Sequence, residues 1–141
     1  MSEFSEHGSY SIKIKDHILI IDAKGPFNIE LVTHYHIELN ASIELLAQSN
    51  QPWSQIVILH EESLFTPEAE QKLIDSNRWR KTKGLSYCAL VLVNPVGSKL
   101  ITSQMTHIYR DAGIQMRIFD QIMTAKEWLT KRNSQALQPM L

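Results

Sequence analysis

Ile18-Leu19-Ile20-Ile21-Asp22-Ala23 is a nearly continuous apolar run, and Gly25-Pro26-Phe27-Asn28 breaks it. Beyond the break, Ile29, Val32, His36, Leu39, Ile43 and Leu46 recur at three- and four-residue intervals. Consecutive apolar positions fit a strand covered on both faces. The second spacing places its members on one face of a helix. Asn28 is a good N-cap for that helix, expected to run to about Gln48. Strand, break and helix form one unit, and the rest of the chain repeats it.

Upstream, Ser9-Tyr10-Ser11-Ile12-Lys13-Ile14-Lys15 alternates apolar and polar, as a strand with one wet face does. Asp16-His17 is short enough to turn it back as an antiparallel hairpin. Downstream, Ile56-Val57-Ile58-Leu59 reads as the third strand, and Thr66-Pro67-Glu68-Ala69-Glu70 opens a second helix with cap, proline and first-turn acids in sequence. That helix should end before Gly84. Tyr87-Cys88-Ala89-Leu90-Val91-Leu92-Val93 is the fourth strand. A third helix buries Ile101, Met105, Ile108 and Ala112 and stops at Gly113. Gln115-Met116-Arg117-Ile118-Phe119 is the fifth strand, and Thr124-Ala125-Lys126-Glu127 reads as a capping box for a last helix through Arg132. The order β-β-α-β-α-β-α-β-α predicts an α/β fold: a five-stranded, mostly parallel sheet with an antiparallel N-terminal strand and four main helices. Residues 1–8 and 133–141 read as flexible ends, leaving 9–132 as a single domain.

The 141 residues make about one domain. Apolar residues at 43% and charged residues at 21% are an ordinary globular composition. A net charge of −1 argues against a nucleic-acid binder working through its overall field. The single Cys88 excludes an internal disulfide and points to a reducing compartment. The N-terminal stretch lacks the pattern of a secretory signal, and no apolar run approaches the roughly 20 residues of a membrane span, so the expected location is cytoplasmic.

The combination of the hairpin, Gly25-Pro26-Phe27-Asn28, Tyr35-His36, Glu38-Leu39, Pro52-Trp53, Thr66-Pro67-Glu68-Ala69-Glu70, Ile108-Tyr109-Arg110, Phe119-Asp120, Ala125 and Trp128-Leu129 resembles the SpoIIAA-like group of bacterial proteins. These are relatives of the STAS domain of sulfate transporters and anti-sigma-factor antagonists. The resemblance covers roughly residues 8–132 and implies a STAS-like α/β fold, of the kind also described as STAS/Sec14-like, with no catalytic residue carried over. In the antagonists a Ser or Thr that accepts phosphate sits in an Asp-Ser-Ser/Thr-Gly motif after the third strand. Here that stretch reads His60-Glu61-Glu62-Ser63-Leu64-Phe65-Thr66-Pro67, so the motif is missing while Ser63 and Thr66 stand in its place as candidate phosphorylation sites.

Polar residues gather where strands end, the edge at which open parallel sheets bind ligands. The candidate ligand- or partner-binding set is Gly25, Pro26, Phe27, Asn28, His36, His60, Glu61, Glu62, Ser63 and Thr66. The basic run Arg78-Trp79-Arg80-Lys81 is the candidate contact for an anionic surface, although cations also suit a helix C-terminus. His34 and His36 lie some 200° apart on a helix and cannot share a metal ion. No nucleotide-binding or nucleophile-elbow signature occurs, and no metal or cofactor is expected. The leading expectation is a non-enzymatic interaction or regulatory module taking a protein partner or an apolar small ligand. One alternative is a Sec14-like lipid- or membrane-surface binder. A second is an enzyme using His60, Glu61 or His36 as acid–base groups. Self-association would be expected as a symmetric homodimer.

Overall fold

The loop Asp16-His17 has positive φ at both positions, 53° and 64°, as a type I′ turn requires. It joins β1 (Ser9–Lys15) to β2 (Ile18–Lys24) in an antiparallel hairpin with Lys15 opposite Ile18. In this computed structural model residues 8–137 are described, the side chains of 134–137 excepted. Then follow α1 (Ile29–Ala47), β3 (Trp53–His60), α2 (Pro67–Thr82), β4 (Leu85–Val93), α3 (Ser98–Ala112), β5 (Gln115–Phe119) and α4 (Ile122–Leu137). The strands lie in the order β1-β2-β3-β4-β5, with β2 to β5 parallel. The expected α/β architecture is the observed one.

This order has a physical consequence for the layers. Each crossover steps in the same direction across the sheet, and right-handed crossovers then put their helices on the same face. Accordingly α1, α2 and α3 pack on the face bearing Leu19, Ile21, Val57, Leu59, Cys88 and Leu90. The opposite face, with Ile18, Ile20, Ile56, Ile58, Ala89 and Val91, meets Ala125 and Leu129 of α4. Successive side chains of a strand point to opposite faces, so β2, β3 and β4 carry apolar side chains on both faces. No helix among the described residues is long and apolar enough to cross a membrane.

One helix face and three boundaries differ from the sequence pattern. The buried face of α1 runs through Leu31, Val32, Tyr35, Leu39, Ile43 and Leu46, while Ile29 is exposed and His36 sits at its margin. β3 begins at Trp53, because the polar Ser54 and Gln55 are buried in the strand with partners of their own. α4 begins at Ile122; the Thr124 hydroxyl, inside the first turn, donates to Gln121 O at 3.0 Å, the back-bonding typical of an intrahelical threonine, so no capping box forms. α4 also continues to Leu137, and the buried Asn133 accepts from Ser54 Oγ at 2.6 Å. Gly8 is buried too. The flexibility expected of 1–7 and 138–141 lies outside the described residues.

Candidate functional site: an aromatic gate at the carboxyl edge

Phe27 and Phe65 each stand immediately before a helix N-cap, Asn28 for α1 and Thr66 for α2. An apolar residue at this position commonly packs back on its own helix. Here the two pack on each other, with ring centroids 4.5 Å apart. Their backbones form an isolated parallel bridge, Phe27 N–H donating to Leu64 O at 2.8 Å and Thr66 N–H to Phe27 O at 3.0 Å. Gln104 of α3 holds the other side of Phe65, accepting from its N–H and donating to its carbonyl, both at 2.9 Å. Both caps are made: Asn28 Oδ1 accepts from Leu31 N–H at 2.8 Å and Thr66 Oγ1 from Ala69 N–H at 3.3 Å.

A clasp underneath locks the two loops together. Ser63 Oγ donates to His60 O at 2.7 Å and accepts from Gly25 N–H at 3.2 Å. Gly25, followed by the cis Pro26, lies so close that a Cβ there would stand 2.6 Å from Glu62 O and 2.7 Å from Ser63 Cα. Only glycine allows that approach. Above the clasp lies a groove of about 350 Å³, lined by Pro26, Phe27, Asn28, Leu64, Phe65 and Thr66 and almost wholly apolar. Phe27 and Phe65 also wall a small interior cavity between the sheet and the helices.

The sequence candidates divide. Gly25, Pro26, Phe27, Asn28, Ser63 and Thr66 come together at this junction. Ser63 is fully buried with its hydroxyl committed, which closes it to a kinase in this conformation. Thr66 is exposed and spends its hydroxyl on the cap. Each acid–base candidate has a partner of its own: His60 Nε2 meets Asp22 Oδ1 at 2.7 Å, Glu61 pairs with Lys24 at 3.5 Å, and His36 Nδ1 meets Ser76 Oγ at 2.8 Å on α2. Glu62 is exposed and is not part of the groove lining. The edge lacks the crevice expected of an open α/β sheet, because that crevice forms where the strand order reverses and this order never reverses.

The basic run also divides. Arg80 is fully buried, donating from Nη1 to Gln55 Oε1 at 3.0 Å and from Nη2 to Ser76 Oγ at 2.9 Å, with its guanidinium 5.3 Å from the Tyr35 ring centroid. Among the described residues no carboxylate lies within ion-pair distance of it. Gln55 Nε2 continues the network to Tyr109 Oη at 2.8 Å and Asn77 Oδ1 at 3.3 Å. Arg78 donates twice to Asp111 O, and Trp79 packs edge-on to His36. The expected cationic surface therefore loses its central member to the core, because Gln55 and Ser76 offer it acceptors there. Lys81 remains exposed.

Phe65, Leu64, Gln104 and Asp22 were not among the sequence candidates. For Phe65 a signal existed: an aromatic before an N-cap in each of two loops. Gln104 and Asp22 meet their partners across 39 and 38 residues, a pairing no local pattern displays. Among the described residues no three metal-ligating side chains converge. Set against protein-family models, curated proteins and solved structures, the chain finds no significant match in any of the three.

Proposed function

We propose that the chain is a non-enzymatic, SpoIIAA-like interaction module that receives an apolar side chain of a protein partner in the carboxyl-edge groove. The observation that carries this reading is the Phe27–Phe65 pair, an aromatic floor of one buried and one half-buried ring between two capped helices. Protein interfaces concentrate aromatics at their centre and polar residues at the rim, and here Asn28 and Thr66 supply the polar groups of the groove. Clasp and bridge hold the backbone beneath the floor in place, which limits the ordering cost of binding. A non-catalytic role is supported by the disposition of the reactive groups. A serine nucleophile needs a base within hydrogen-bond reach, and Ser63 donates instead to the main-chain oxygen of His60. A two-chain lipid finds no enclosure in a cavity of about 40 Å³.

The test is photo-crosslinking in the native host with a benzophenone amino acid at Thr66, and at Lys15 as the opposite-edge control. The expected result is one discrete adduct from position 66 that Phe65→Glu abolishes. Absence of an adduct at 66, or the same adducts from position 15, overturns the reading.

A further inference from the structure

The interior cavity is bounded by Ile21 and Ala23 of β2, Val57 and Leu59 of β3, and Leu73 of α2, and it is walled almost wholly by carbon. Three tyrosines also line it. Tyr109 Oη accepts from Gln55, and the Tyr35 ring lies 5.3 Å from the Arg80 guanidinium. Tyr10 Oη is buried without a hydrogen-bond partner among the described residues and is one polar atom, too few to hold a water. A buried water needs two to four polar partners, and cavities without them stay dry and take up apolar solutes. At about 40 Å³ the space exceeds what a single water fills, in an interior that otherwise leaves few such voids.

The route in is equally specific. Phe27 and Phe65 belong to both the cavity wall and the surface groove, so they are the lining that the two spaces share. Their backbones are pinned by the bridge and by Gln104, which leaves ring rotation as the movement that opens the passage. Phe65 is the less buried of the two and is the moving leaf.

We propose that this cavity is a gated binding site for a compact, uncharged apolar molecule, no larger than one aromatic ring or a short alkyl chain. The smallest guests fit the space as it stands. A ring of benzene's size, which fills about 150 Å³ elsewhere, takes the volume that the Phe65 side chain vacates. Charged guests are excluded because the lining offers them no counter-charge, Arg80 lying behind Tyr35 rather than in the wall.

The experiment uses the full chain with two probes, xenon and toluene, followed by methyl NMR of Leu31, Val57 and Leu73. Xenon is expected to give saturable shifts confined to these methyls. Val57→Ile, which adds one methylene to the wall, should weaken xenon binding at least fivefold while the chain stays folded. Phe65→Leu should strengthen toluene binding about tenfold. Absence of saturable shifts with either probe overturns the site. Xenon shifts unchanged in Val57→Ile place the guest elsewhere and also overturn it, and toluene binding indifferent to Phe65→Leu overturns the gate. None of these results depends on the partner reading, which the crosslinking test decides by itself.

Discussion

Arg80 brings a guanidinium into the core, where among the described residues its hydrogen-bond acceptors are neutral, and its influence reaches the surface through Ser76. Arginine can only donate, so Ser76 Oγ accepts from it and is free to turn its own proton to His36 Nδ1. Burial, then the charges of Arg80 and Lys72, hold the His36 imidazole below its ordinary value. A lowered pKa means that the unfolded chain binds the proton more readily, so stability rises with pH below the unfolded value near 6.5 and is complete above it. His36→Asn, which keeps an acceptor toward Ser76 but does not titrate, is expected to flatten the urea-midpoint profile between about pH 5 and 7. Cys88 belongs to the same region, where burial pushes its thiol up to about 11. Iodoacetamide at pH 8 is expected to leave it unmodified in the native chain and to label it only after unfolding in urea; native labelling would contradict its burial. At this scale the sequence was read half correctly. Cys88 was legible because its strand neighbours are all apolar. Arg80 was misread because its neighbours Arg78 and Lys81 are surface cations, while the acceptors that draw it inward lie on β3 and one turn back on its own helix.

Between elements, the decisive contact is the clasp of the β2–α1 turn against the β3–α2 loop. Ser63→Ala removes a buried hydroxyl that both donates and accepts, and leaves Gly25 N–H and His60 O without that partner. The expected loss is about 2 kcal/mol, measured by urea denaturation, with weaker protection of the Gly25 and Phe27 amides from hydrogen exchange. A loss confined to stability, with the exchange pattern unchanged, would mean that the loops are held otherwise. The elements themselves were legible because period and capping act locally: Asn28, Thr66-Pro67 and Gly113 mark helix ends without help from the rest of the molecule. The start of β3 was not, since Ser54 and Gln55 are polar and become strand interior only through Asn133 and Tyr109, 79 and 54 residues away. The candidate site shared that limit. Its cap residues were visible one loop at a time, whereas the pairing of Phe27 with Phe65 exists only after two loops meet.

For the molecule as a whole, the unreversed strand order divides the work unevenly between the two faces of the sheet. Three helices cover one face and α4 the other, so the length of α4 matters more than its place at the end of the sequence suggests. A chain ending at Arg132 loses the Asn133 partner of the buried Ser54 hydroxyl. It is expected to be less stable by about 2 kcal/mol and to melt about 5–10 °C lower, as read by calorimetry. An unchanged melting temperature would show that residues beyond 132 add nothing. The same order governs events during synthesis. A nascent chain emerges from the ribosome N-terminus first, and every strand of this sheet finds its neighbour already made, which keeps the loops to be closed short. The helix that shields Ile18, Ile20, Ile56 and Ile58 is the exception, since it is made after every strand of the sheet. Until then an isoleucine-rich surface stands bare, the kind of exposed apolar face that makes a nascent chain prone to aggregate.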